Sequence, residues 1–285
     1  MLDYYDSRLT PPPGGAGVRM RVNLGAASMR KQPDPAATQV SQVLFGEAVR
    51  LHHEEGAFAL VQNEADRYVG WVETRALSDA GPEPTHRIAA TRLHAYAAPK
   101  VTASPNFSLG RGALLSATGA QEGAYLEFEH AGWIAAHLTA PIDQFESDPA
   151  SVAEGFIGTP YLWGGRDGLG VDCSGLVQIA FGACGVAVPR DSDMQRDWLG
   201  MEIADWVAPG GLRRSDLVFW KGHVGIMLDA ETLLHANGTF ITTMAEPLVP
   251  AIERIAKEYG EPLGARRIDI SNAVGVRPAW LTAQG

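Results

Sequence analysis

The 285-residue chain predicts an α+β carboxyl-terminal domain preceded by two small antiparallel β-barrels. Three observations predict this. Short alternating runs fill the stretch from 23 to about 140, and the pattern recurs after roughly sixty positions. After 150, helix-periodic segments come first and apolar strand-like runs follow, the order of an α+β domain.

Residues 1–22 are rich in Pro and Gly, with Pro11-Pro12-Pro13-Gly14-Gly15, and are expected as an irregular arm. The first barrel is expected over 23–80. Val43 to Leu51 reads as strand, turn, strand, and Phe58–Gln62 and Tyr68–Val72 as two more strands around a polar turn at 63–66. Gly81-Pro82-Glu83-Pro84 is a linker, and a second barrel is expected over 81–142. There Leu109-Gly110 repeats Phe45-Gly46 at an offset of 64 (110 − 46), and Gly132-Trp133-Ile134 repeats Gly70-Trp71-Val72 at 62 (132 − 70).

The third domain is expected over 150–285. Ser151–Ile157, Leu176–Ala183 and Met194–Leu199 read as helices. Asp216–Trp220, His223–Leu228, Thr232–His235 and Phe240–Thr243 read as strands.

The formal net charge of −10 excludes nucleic acid and anionic membrane as partners, because phosphate recognition needs a basic face. Arg166 and Arg190 flank the cysteine region and can offset the field locally for a small anionic substrate. Two cysteines are too few for a disulfide framework, and Cys184 reads as a small buried hydrophobe. No signal peptide and no membrane span are visible, so a cytoplasmic protein is expected; a monomer is expected as well.

The chemistry concentrates at Cys173. Asp172-Cys173-Ser174-Gly175 precedes an apolar helix, which puts the thiol in a first turn whose free N–H groups favour a thiolate. His223 heads an apolar strand and can serve as base. His235 or, two positions on, Asn237 can orient it. The other histidines, His52, His53, His86, His94, His130 and His137, read as solvated edge residues. Cys173, His223, His235 and Asp172 also contain zinc-type ligands, but no CxxC or HExxH spacing occurs, and no metal or cofactor is expected. Tyr161 lies in the Gly-rich loop before the cysteine and can meet a substrate oxygen, whereas Trp163 reads as core packing. Asp191 and Ser192 are polar enough to meet a substrate and equally suited to capping the next helix.

These segments resemble the NlpC/P60 family of cell-wall peptidases. The resemblance rests on Gly158-Thr159-Pro160-Tyr161-Leu162-Trp163-Gly164-Gly165, Gly170-Val171-Asp172-Cys173-Ser174-Gly175-Leu176-Val177, Pro189-Arg190-Asp191-Ser192, Gly222-His223-Val224-Gly225-Ile226 and Leu234-His235-Ala236. It covers roughly 150–270 and implies a papain-like fold with Cys173 as nucleophile, His223 as base and His235 as the orienting residue. The repeated β-module resembles bacterial SH3 domains, and the two together resemble γ-D-glutamyl-diamino-acid endopeptidases. This implies a murein-derived peptide substrate, cleavage between γ-D-Glu and a diamino acid, and a free N-terminal L-Ala. It further implies that Asp172, Ser174, Asp191 and Ser192 bind the L-Ala-γ-D-Glu part, with Tyr161 beside the nucleophile and Tyr68 or Trp71 as the aromatic partner from the first SH3 module. No carboxylate stands between Ala37 and Val40, where the resemblance places one. An amidase or acyltransferase on the same scaffold and a non-catalytic wall-binding protein are the alternatives. An intact Cys173, His223 and His235 set argues against the second.

Overall fold

The computed structural model describes residues 4–282. They form two compact units, 4–144 with 167–169, and 145–166 with 170–282.

Unit 1 contains one β-module built twice. The first copy has β1 (Val18–Val22), β2 (Ala26–Arg30), β3 (Gln39–Leu44), β4 (Ala48–Glu55), β5 (Phe58–Asn63), β6 (Val69–Glu73) and β7 (Leu77–Asp79), in sheet order β3-β2-β6-β5-β4-β1-β7. The second has β8 (His86–Ile88), β9 (Arg92–Tyr96), β10 (Pro105–Gly110), β11 (Leu114–Leu115), β12 (Ala117–Glu122), β13 (Tyr125–Phe128), β14 (Gly132–Ala135) and β15 (Thr139–Pro141). Its strands run β10-β9-β14-β13-β12 and β11-β8-β15, which is the first order with β4 broken into β11 and β12. Single 3₁₀ turns, Thr74–Ala76 and Ala136–Leu138, precede β7 and β15 at the 62-residue offset (136 − 74). Alternation explains the burial: Val43, Val49, Val61 and Val72 point into the first barrel, and Leu93, Ala95, Leu109 and Ile134 into the second. Phe45 leaves the first copy and packs in the core of the second, 5.5 Å from the Phe107 ring.

The irregular arm is shorter than expected. Asp6 caps a 3₁₀ turn at Ser7–Leu9, Leu9 is buried, and Gln62 Nε2 donates to its carbonyl at 2.7 Å. Val18-Arg19-Met20-Arg21-Val22 is a strand paired with β4 and β7, not part of the arm. The apolar residues at 18, 20 and 22 alternate with arginines, a period-two signal next to a Pro/Gly-rich run. The Gly81–Pro84 linker is tied down, because Glu83 pairs with both Arg19 and Arg21 of β1.

Unit 2 contains α1 (Pro149–Glu154), β16 (Arg166–Asp167), β17 (Gly170–Val171), α2 (Cys173–Ala183), α3 (Ser192–Trp198), β18 (Met201–Glu202), β19 (Leu217–Trp220), β20 (His223–Met227), β21 (Thr232–Asn237), β22 (Thr242–Pro247), α4 (Leu248–Tyr259), β23 (Gly264–Arg267), α5 (Ile270–Ala273) and α6 (Ala279–Thr282). Asp167, at the end of β16, belongs to unit 1. The sheet runs β18-β23-β19-β20-β21-β22 with antiparallel pairings.

Helices flank both faces of this sheet. Leu176, Val177, Ala180 and Phe181 of α2 pack with Leu217, Phe219, Val224, Ile226, Leu234 and Ala236. Burying each larger side chain contributes about 1.5–3 kcal/mol. On the other face, Leu248, Ala251 and Ile255 of α4 meet Val218, Trp220, Met227 and Leu233. Helix α4 was not among the expected elements, which ended with a sheet. Its buried residues fall at i, i+3 and i+7, a readable helical period. No helix among the described residues is long and apolar enough to cross a membrane.

Candidate active site

The site forms where the first turn of α2 meets the head of β20. Asp172 is the N-cap of α2, with Oδ1 accepting the Gly175 N–H at 2.7 Å. Its Oδ2 accepts the Gly164 N–H at 2.8 Å, which ties the Gly-rich loop to the helix start. Gly175 is required here: a Cβ would lie 2.1 Å from the Gly165 carbonyl oxygen. Cys173 is thereby the first helical residue, and its N–H has no helical carbonyl to bond.

Arg190 locks this corner. Its guanidinium donates to both Asp172 oxygens, at 3.1 and 2.6 Å, and to Ser174 Oγ at 2.8 Å. Gln195 of α3, fully buried, donates to the carbonyls of Ser174 and Pro189 at 3.0 and 2.9 Å. Asp172 and Ser174 are therefore engaged with Arg190 and the helix start, which the sequence showed only as neighbours. Asp191 occupies the N-cap position of α3 without a side-chain capping bond, and Ser192 is the first residue of that helix and buried.

The histidines come from adjacent strands. Residues 223, 235 and 246 share the sheet face that α4 covers, by the alternation that places Met227 and Leu233 there. His223 Nε2 lies 2.8 Å from His235 Nδ1. His235 Nε2 lies 2.7 Å from Glu246 Oε1 and 3.3 Å from Asn237 Nδ2. Arg254 of α4 pairs with the same Glu246 oxygen. The His223 ring sits 5.7 Å from the Trp220 ring and 6.4 Å from that of Tyr259, which stacks on it. Cys173 approaches from the side of α2, and the N–H of Val224, next to His223, hydrogen-bonds its sulfur.

Burial and the helix start pull the Cys173 thiol in opposite directions. Burial pushes the Cys173 thiol up to about 12, and the Asp172 charge adds to this; the Val224 and Ser174 N–H groups and Arg190 act in the opposite direction and do not prevail. Burial likewise pushes His223 down to about 3, helped by His235 and Arg254. Burial thus favours the neutral thiol and the neutral imidazole, against the pull of the helix start towards a thiolate. Tyr161 stays a phenol, raised by burial first and then by Cys173, Asp172 and Tyr259.

Other candidates separate. Trp163 is 61% exposed, so core packing is not its role. Tyr68 and Trp71 belong to unit 1: Tyr68 is buried, and the Trp71 ring meets His53 edge-on at 5.9 Å. His53, His94, His130 and His137 are exposed, and His52 and His86 are half-buried. Among the described residues, no three His, Cys, Asp or Glu side chains are grouped to hold a metal ion. Glu246, Arg254, Gln195 and Tyr259 were missed by sequence reasoning. Only Glu246 carried a signal, lying in alternation with Thr242 and Met244 on a strand next to His235.

Comparison with known proteins agrees with this geometry. Residues 158–253 match the NlpC/P60 family, and residues 29–77 match the bacterial dipeptidyl-peptidase SH3 domain. The chain is 26% identical to dipeptidyl-peptidase 6 of Lysinibacillus sphaericus over 235 residues, 74% of this chain and 84% of the relative. It is 27% identical to the γ-D-glutamyl-L-lysine dipeptidyl-peptidase of Bacillus subtilis strain 168 over 221 residues, 70% of this chain and 72% of the relative. An NlpC/P60 family protein from Bacillus cereus ATCC 10987 shares the fold, with a TM-score of 0.72 at 20% identity over 87% of this chain and 99% of that one. The chain carries an NlpC/P60 cysteine-peptidase domain preceded by a bacterial dipeptidyl-peptidase SH3 domain.

Proposed function

We propose that the chain hydrolyses the amide between γ-D-Glu and the diamino acid of murein stem peptides, releasing L-Ala-D-Glu. The observation that carries this is the Cys173 sulfur at the start of α2, reached by the Val224 N–H at the head of β20, next in the chain to His223, whose ring bonds His235. Support for the substrate comes from the two dipeptidyl-peptidase relatives, which align over more than two thirds of the chain. Release of a dipeptide requires the substrate to begin two residues before the scissile bond, so the proposal includes a free L-Ala amine.

In the mechanism, the Cys173 sulfur bonds to the γ-carbonyl carbon while its proton passes to His223. The Cys173 N–H and the Tyr161 hydroxyl, which stays protonated, are the donors available to the oxyanion. His223 then gives its proton to the departing amine as the C–N bond breaks. Water, deprotonated by His223, cleaves the thioester and restores the thiol. The proposal locates this monomeric enzyme in the cytoplasm, acting on freed wall fragments rather than intact wall. Fractionation and gel filtration check those two points.

The test is mass-spectrometric product analysis with L-Ala-γ-D-Glu-diaminopimelate and its lysine analogue, each free and N-acetylated, with Cys173→Ala as control. Release of L-Ala-D-Glu from the free peptides alone is expected. Cleavage of the acetylated forms would overturn the free-amine requirement, and no cleavage of any form would overturn the substrate assignment.

A further inference from the structure

We infer that Glu246 is a positioning residue that sets the tautomers of both histidines, and that it does so against Asn237. The inference rests on Cys173 and His223 acting as nucleophile and base.

His235 Nε2 has two neighbours with opposite demands. The Glu246 carboxylate has only lone pairs, so it requires a proton on that nitrogen. The Asn237 amide presents Nδ2, a donor, because its Oδ1 accepts the Phe240 N–H at 2.9 Å; it asks for a bare Nε2. The distances decide between them. At 2.7 Å the carboxylate contact is a short, charge-assisted bond, roughly twice as strong as a neutral one. At 3.3 Å the amide contact lies beyond the usual range for N–H donors. Arg254 holds the carboxylate in place from α4, and its guanidinium lies 5.0 Å from the Phe240 ring.

The consequence runs along the hydrogen bonds. With the proton on Nε2, His235 Nδ1 is a lone pair and accepts from His223 Nε2–H at 2.8 Å. His223 Nδ1 is then bare, and it is the nitrogen left to receive the thiol proton. If Asn237 prevailed, His235 would donate through Nδ1, His223 Nε2 would accept, and the proton would sit on His223 Nδ1. That tautomer has no lone pair for Cys173. A carboxylate that reaches the base only through His235 therefore determines whether the base is competent.

The test uses the full chain with Glu246→Ala and Glu246→Leu, and the double variant Glu246→Ala/Asn237→Ala. Nitrogen-15 NMR of the imidazoles reads the tautomers without substrate, and turnover of the murein peptide gives kcat and KM. In the parent, both rings are expected to carry the proton on Nε2. In E246A, His235 and His223 are expected to shift to the Nδ1–H forms, with kcat down at least about a hundredfold and KM within about twofold. Removing Asn237 as well is expected to restore part of the Nε2–H population and part of kcat. E246L fills similar space without an acceptor for the His235 Nε2–H, so it carries the test if E246A does not fold. Retention of Nε2–H alone on both rings in whichever variant folds would overturn the inference, whatever happens to the rate. Because the tautomers are read without substrate, a wrong peptide assignment leaves this result intact.

Discussion

Arg190 and Asp172 form a two-pronged ion pair at the floor of the site, with Nη1–Oδ1 and Nη2–Oδ2 separations of 3.1 and 2.6 Å and the arginine almost fully buried. The same carboxylate caps α2 and holds the Gly164 N–H. One side chain thus fixes the loop, the helix start and the cysteine that begins it. Removing only the arginine leaves a buried carboxylate without its counter-charge. Arg190→Met is expected to cost about 3–5 kcal/mol of folding stability. Arg190→Lys should rescue little, since an ammonium cannot reproduce the planar fork. Urea denaturation of the variants measures this; an R190M midpoint near that of the parent would show that the pair does not hold the corner.

The resting protonation of Cys173 and His223 separates two physical effects. A helix N-terminus favours thiolate, while burial favours thiol, and burial prevails here with the thiol at about 12 and the imidazole at about 3. The ultraviolet thiolate band, taken as the difference between the parent and Cys173→Ala, is expected to be absent near neutral pH. Iodoacetamide should then label Cys173 no faster near pH 6 than an ordinary thiol, whose value is about 8.5. A thiolate band that persists to pH 6 would show that pairing with an imidazolium outweighs burial, as the sequence alone suggested.

The contrast shows what local sequence can carry. Cys173 and His223 stood out because each begins a short apolar element, while periodicity left His235 and Asn237 on one strand face and the family resemblance chose His235. The repeated module was legible because Gly46 and Gly70 recur as Gly110 and Gly132 with their apolar neighbours. Glu246 was not, because its contact to His235 depends on the β21–β22 register, which pairs His235 with Met244 and brings residue 246 in diagonally. The burial that raises the thiol was not legible for a related reason: Cys173 packs in a core shared with β20 and β21, more than forty residues away. Arg190 was visible as a nearby cation, but its fork onto Asp172 and Ser174 depends on how the segment after α2 turns back.

Gly46 joins the two β-modules in a way no other residue can. Its φ is +75°, and a Cβ there would lie 2.1 Å from the Leu114 carbonyl oxygen of the second copy. The neighbouring Phe45 accepts the Leu114 N–H at 2.8 Å, so the two backbones are held at this spacing. Gly46→Ala is expected to cost about 1–2 kcal/mol for the left-handed backbone alone, with the displaced carbonyl adding to it. Differential scanning calorimetry should show a lower Tm for the transition of unit 1. An unchanged thermogram would mean that the modules separate by the required distance at no cost.

His223 also links stability to acidity. Its ordinary value is 6.5 and its folded value about 3, so between these limits the unfolded chain binds a proton that the folded chain refuses. Stability therefore rises with pH through this window and is lost as the medium is acidified from about 6.5 towards 3. Glu246 and Asp148, both held below the usual carboxylate range, lose stability in the same direction at the lower end, so the total slope belongs to several groups. His223→Gln isolates the imidazole, because glutamine does not titrate and retains a donor for His235. The parent's free energy of unfolding should fall by up to about 1.4 kcal/mol per pH unit more steeply than the variant's between pH 6 and 4. Parallel profiles for the two proteins would show that the His223 site opens to water before the imidazole charges, and that its burial contributes nothing to the acid limit of the fold.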